Sequence, residues 1–145
     1  MASHDDAPDL GELFHATFRG LRRTWAEQLA PWEITPHQWR ALMTLLRRRP
    51  DAAPCDIRLK DLAERLRIAP RSATEVVDQL EAKGLLCREP DPTDRRATLI
   101  VATGAGRQLF ADISAGRRDK SNEYFSRLSG EDRAELARIL AQLRD

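Results

Sequence analysis

No apolar run in the chain comes near the roughly 18 residues that a membrane span needs, and Met1 to Asp9 holds no hydrophobic signal core. A membrane partner is therefore not expected. Cysteine is scarce: Cys55 and Cys87 lack metal-ligand spacing, and two thiols make no disulfide framework. The expectation is a cytoplasmic chain. His4, His15 and His37 form no metal array, so neither a metal nor another cofactor is expected. Also missing are a nucleophile–base constellation and a Gly-rich phosphate loop, which argues against an enzyme. Finally, neither sign of charge dominates, with 24 Lys and Arg against 23 Asp and Glu for a net +1. The broadly basic surface that advertises many nucleic-acid binders is not written into the composition.

What is present is a charge-rich globular sequence, 145 residues long, with 41% hydrophobic and 32% charged residues. That suits one compact domain. Apolar residues recur at helical spacing through most of it. The first stripe runs Leu10, Leu13, Phe14, Phe18, Leu21, Trp25, Leu29, with Asp9 and Glu12 placed as a capping pair, and ends near Pro31. Thr35, Pro36 and Gln38 give an N-cap, a first-turn proline and a capping-box partner for a second helix. That helix closes on Arg47, Arg48 and Arg49, read as a solvated end. Residues Asp51 to Asp56 read as a loop.

Two short amphipathic helices follow. Leu59, Leu62, Ala63 and Leu66 form one stripe; Ala73, Val76, Val77 and Leu80 form the other. Only Arg67, Ile68 and Ala69 separate them from Pro70, a natural first helical residue, and Gly84 ends the second. The period then changes. Leu85–Glu89 and Ala97–Val101 read as strands of a hairpin whose polar tip, Pro90 to Arg96, is rich in turn formers. Thr103 and Ser129 N-cap two further helices, giving the order α-α-(short β)-α-α-β-β-α-α.

A helix fits the major groove of B-DNA and a narrow hairpin reaches an adjacent minor groove. The helix from Pro70 buries one stripe and so exposes Arg71, Ser72, Thr74, Glu75, Asp78 and Gln79. Its free N–H groups favour a phosphate. Arg95 and Arg96, side by side at the hairpin tip, suit the negative potential of a minor groove. Arg71, Ser72, Thr74, Glu75, Arg95 and Arg96 are the candidate DNA-binding residues.

From Leu59 through Val101 the chain resembles the multiple-antibiotic-resistance regulator (MarR) family of bacterial winged-helix repressors. The stretches that carry this are Leu62 to Leu66, Ser72 to Leu85, and Asp91-Pro92-Thr93-Asp94-Arg95-Arg96, the family's wing signature. Thr103 and Gly106 stand where the family opens its long fifth helix. The resemblance implies a mostly α (α+β) fold: a winged helix-turn-helix with N- and C-terminal dimerisation helices. It implies a single domain over 1–145, with 1–50 and 103–145 forming the dimerisation helices and 55–102 the DNA-binding unit. It also implies a transcription regulator, a repressor by type, that binds a near-palindromic double-stranded operator as a homodimer. The wing role then falls to Arg95 and Arg96, with Asp94 orienting an arginine.

Some residues depart from the family pattern. Arg67 replaces the turn glycine, where a left-handed conformation costs roughly 1 kcal/mol. Ala69 offers no cap, a loss of about 1 kcal/mol. Glu75 replaces a basic residue, and Ala102 a leucine. From Leu59 to Arg96 the formal charges sum to zero, so binding must rest on placed cations. That balance also leaves an alternative reading, a protein-interaction module that has lost DNA contact. Trp25, His37 and Trp39 are candidate effector contacts, because related regulators hold a small aromatic or lipophilic effector near the dimer helices; core packing is the competing role. Cys55 and Cys87 read as small apolar residues.

Overall fold

The computed structural model describes residues 7–47 and 57–144. His4, Arg48, Arg49, Cys55 and the expected 51–56 loop lie outside the described residues. The elements run α1 (Leu10–Leu29), a 3-10 turn (Ala30–Trp32), α2 (Pro36–Leu46), β1 (Ile57–Arg58), α3 (Leu59–Leu66), α4 (Pro70–Ala82), β2 (Leu86–Asp91), β3 (Asp94–Ala102), α5 (Gly104–Phe125) and α6 (Gly130–Ala141). The fold is mostly helical, with one antiparallel sheet ordered β1-β3-β2. Among the described residues no helix is long and apolar enough to cross a membrane.

Local chemistry sets the helix ends. Asp9 Oδ1 accepts from the Gly11 and Glu12 N–H groups at 2.8 and 3.4 Å, opening α1. Thr35 and Gln38 form the expected reciprocal capping box at α2, with bonds of 3.1 and 3.2 Å. Ser129 Oγ caps α6 through the Asp132 N–H. Thr103 Oγ1 accepts from the Gly106 N–H at 3.1 Å and donates to the Gly84 carbonyl at 2.6 Å, so one hydroxyl opens α5 and closes the turn after α4. Gly84 takes φ +72°, a conformation open to glycine at little cost. Gly106 is required for a different reason: a Cβ there would collide with the Leu85 carbonyl.

The chain divides into two compact units. Leu29–Ser114 packs around Leu42, Leu45, Leu62, Val77, Leu80, Leu86, Ile100 and Ile113, all essentially fully buried. Every element from α2 to the start of α5 contributes to this core. The other unit comprises the chain up to Gln28 and from Ala115 onward. There Tyr124 Oη donates to the Thr17 carbonyl at 3.1 Å, and Leu21 is buried. Leu10, Leu13, Phe14 and Phe18 on α1, with Ile139 on α6 and Leu143 just after it, are exposed.

The hairpin differs from expectation. Its strands run further than Leu85–Glu89 and Ala97–Val101, to Asp91 and back from Asp94, leaving only Pro92 and Thr93 as the tip. A register irregularity lies between Pro90 and Asp91. Arg95 and Arg96 are thus strand residues, not tip residues. Successive strand side chains leave opposite faces, and of the two only Arg96 lines a cleft beside α4.

Candidate nucleic-acid interface

The helix-turn-helix is built around a tight, strained turn. Arg67 ends α3 at φ +53°, ψ +45°, the left-handed region. This aims its N–H at the Glu64 carbonyl (3.1 Å) and the next N–H, of Ile68, at the Ala63 carbonyl (3.2 Å). The strain anticipated for a non-glycine residue is therefore present. Ala69 then precedes α4 with no side-chain cap bond. With no cap, the first α4 N–H groups are left to solvent or to an anion.

Helix α4 buries Ala73, Val76, Val77 and Leu80 against the core. Arg71, Ser72 and Glu75 are exposed on the opposite side. Thr74 is only half-exposed, and its hydroxyl donates to the Pro70 carbonyl at 3.0 Å. Asp78 and Gln79, read as free surface, are engaged within the protein. Asp78 pairs with Arg88 on β2 at 2.5 Å, and Gln79 Oε1 accepts from Gln38 Nε2 at 2.9 Å. Gln38 is buried, and its Oε1 also accepts from Lys83 Nζ at 3.2 Å; Lys83 donates as well to the Glu33 carbonyl. The α2 capping residue thereby holds the C-terminal half of α4.

At the wing, Asp91 is 7% exposed and fully partnered. It accepts from the Thr93 hydroxyl (2.7 Å) and N–H (2.8 Å), and from Arg58 Nη2 and Nε at 2.8 and 2.9 Å. The Thr93 hydroxyl and N–H hold its carboxyl below the usual range; burial opposes this, and Arg58 adds to it. Asp94 Oδ1 accepts from the backbone N–H of Arg96 at 3.0 Å, so it orders an arginine's main chain.

A cleft of about 430 Å³ opens between these parts, lined among others by Arg58, Lys60, Pro70, Thr74, Asp94 and Arg96. It brings the first turn of α4 to Arg96 and adds two cations, Arg58 and Lys60, that sequence reasoning missed. Arg95 does not line it. The only local sequence signal for Arg58 and Lys60 was that they flank Leu59 at the start of α3, which says nothing of where a side chain ends up.

The effector candidates are placed separately. Trp25, in the unit with both termini, is half-buried; its Nε1–H donates to Ser121 Oγ at 3.0 Å, and Arg117 lies 4.9 Å over its ring. Trp39 is buried in the Leu29–Ser114 core, stacked on Phe110 at 5.1 Å. His37 is exposed on the first turn of α2. None of the three lines the cleft. Cys87 is a half-buried free thiol on β2.

Two short packed helices, an α4 with one polar face, and a two-stranded wing define a winged helix-turn-helix DNA-binding protein. Comparison with known proteins places it more narrowly. Residues 34–98 match the model of the MarR family. The chain is 30% identical over 159 residues to a regulatory protein assigned to the hcr operon of Thauera aromatica, covering 99% of this chain and 92% of that one. It is 27% identical over 135 residues to the HTH-type transcriptional repressor MdtR of Bacillus subtilis, covering 93% and 83%. The apo structure of wild-type MarR from E. coli superposes with a TM-score of 0.83 at 24% identity, over 97% of this chain and all of that one. The chain belongs to the MarR family and is a DNA-binding transcription regulator, not an enzyme.

Proposed function

We propose that the chain acts as a sequence-specific repressor, binding a near-palindromic operator as a homodimer. The observation that carries this reading is the convergence of Arg58, Lys60 and Arg96 on the uncapped start of α4. Lys60 and Arg96, with Arg58 already bridged to Asp91 and Asp94 close by, meet a helix N-terminus where a backbone phosphate would fix the helix in the major groove. Arg71, Ser72 and Glu75 then face base edges, with Glu75 suited to accept from a cytosine amino group. Thr74, its hydroxyl already turned to Pro70, offers its methyl group. Arg95, on the other face of β3, reaches the minor groove. Repression is supported by the name of the Bacillus subtilis relative.

The dimer is supported by the exposed apolar stripe of α1 together with Ile139 and Leu143. We assign 1–50 and 103–145 to the dimerisation helices and 55–102 to the DNA-binding unit. Trp25, His37 and Trp39 are proposed to report on, or contact, a small aromatic or lipophilic effector. Quenching of tryptophan fluorescence together with loss of DNA affinity would support this. Indifference of both to a panel of aromatic acids would remove it.

Selection from random duplex DNA tests the main reading. The dimer should enrich one near-palindromic site, with half-sites about one helical turn apart. Its affinity should fall steeply between roughly 50 and 200 mM salt. Replacing Arg95 and Arg96 by alanine should abolish enrichment while leaving a folded dimer. If wild-type protein enriches nothing at low salt, the chain is an interaction module on the same fold.

A further inference from the structure

Arg88 lies on β2, at the base of the wing, and both its terminal nitrogens and its backbone N–H are committed to α4. Its Nη2 donates to Asp78 at 2.5 Å, its Nη1 to Glu81 Oε1 at 3.0 Å, and its backbone N–H to Glu81 Oε2 at 3.1 Å. Asp78 and Glu81, three residues apart, share one face of the helix. They lie in its C-terminal half, where negative charge opposes the helix dipole. Arg88 is 27% exposed, and both its terminal nitrogens are occupied. Partial burial pulls its guanidinium down, but the bond and charge of Asp78 and the charge and bond of Glu81 together hold it above its ordinary value.

On the DNA-binding reading above, a cation at the foot of a wing would ordinarily be counted as a phosphate contact. The geometry points to another role: Arg88 is a positioning residue that sets the angle between the wing and α4, and so determines operator preference without touching DNA. An operator requires α4 and the wing to enter two neighbouring grooves at once. Non-specific binding rests mainly on phosphate neutralisation and is insensitive to that angle. The clamp also offsets one of the three carboxylates of α4, Glu75, Asp78 and Glu81, which explains how the Asp78–Glu81 pair is tolerated there.

The test uses the full-length dimer and the operator that the wild type selects. R88M, the near-isosteric D78N/E81Q, and the triple variant are compared for affinity to operator and to unrelated duplex across a salt series. R88M and D78N/E81Q should each weaken operator binding about tenfold, and the triple variant no further, because residues acting as one unit are not additive. The slope of log affinity against log salt should stay at the wild-type value, and unrelated duplex should bind as before or, for D78N/E81Q, more tightly. A slope shallower by about 0.9 per phosphate lost in R88M would make Arg88 a direct contact and overturn the proposal. Additive losses, or unchanged operator affinity in both variants, would overturn it too. Should R88M fail to fold, D78N/E81Q decides: lost operator preference supports the clamp, retained preference refutes it. Absence of a selected operator for the wild type would instead bring down the DNA-binding reading itself.

Discussion

The segment Leu29–Ser114 hides most of its large apolar residues, Trp32 excepted, whereas the helices outside it bury Leu21 but display most of theirs. Leu42, Leu62, Val77, Leu80 and Ile100 are fully enclosed, while Leu10 is 79%, Phe14 59% and Leu143 75% exposed. In the sequence the two kinds of stripe look alike, both apolar at helical spacing. What separates them is the availability of a second surface within the same chain. The 29–114 segment supplies its own, with α2, α3, α4 and the sheet closing on one another. The N-terminal part of the α1 stripe, Leu10, Leu13, Phe14 and Phe18, is exposed, whereas Leu21 and Leu29 are buried; exposed apolar surface of that kind is what the proposed dimer would cover. One region completes itself; on the proposed dimer, the other is completed by association.

The contrast can be broken first at its core. Leu80→Ala should cost about 3 kcal/mol of stability, the usual range for a fully buried leucine, read as a fall in the urea midpoint with loss of DNA binding. Phe14→Glu should leave helicity intact and raise the dimer dissociation constant roughly 100-fold, as for a central apolar anchor, measured by sedimentation velocity. If Phe14→Glu unfolded the chain as Leu80→Ala does, the distinction between the regions would be lost. The strained turn offers a smaller gain. Ala69 already has the extended conformation of an N-cap (φ −61°, ψ 146°), so Ala69→Ser should add about 1 kcal/mol, visible in the thermal midpoint. Arg67→Gly, at φ +53°, should add about 0.5 kcal/mol.

The smallest effect concerns acid. Because Asp91 is held below the ordinary carboxylate range by Thr93 and Arg58, its contribution is complete above about pH 4 and is lost as pH falls through its lower folded-state value. The stability difference between wild type and Asp91→Asn should therefore be widest near neutrality and shrink only in stronger acid. A difference that grew on acidification would reverse the sign of this assignment.

Features governed by neighbours in sequence were readable in advance. The caps at Asp9, Thr35, Thr103 and Ser129, the glycine stop at Gly84 and the strain at Arg67 each depend on a few adjacent residues. The wing length was not, because Pro90, Asp91 and Asp94 are turn formers by type yet lie in strands once β3 is there to pair with. Arg58 and Lys60 escaped notice because the cleft they line is assembled from β1, α3, α4 and β3. Arg88 meets Asp78 ten residues away, a spacing no helix or strand period picks out. The polar network of Gln38 joins residues 41 and 45 positions apart, although the same glutamine was legible as a helix cap.

The sheet order β1-β3-β2 leaves β2 as an outer strand. Unpaired rims of this kind invite other chains to add strands, the first step toward insoluble aggregates. Here the rim carries Arg88, Glu89 and Pro90 in succession, followed by an irregular register. Two charges, a residue without an N–H and a local distortion are obstacles to such growth. The outer strand of the proposed DNA-binding wing is thereby kept from templating a second copy of itself.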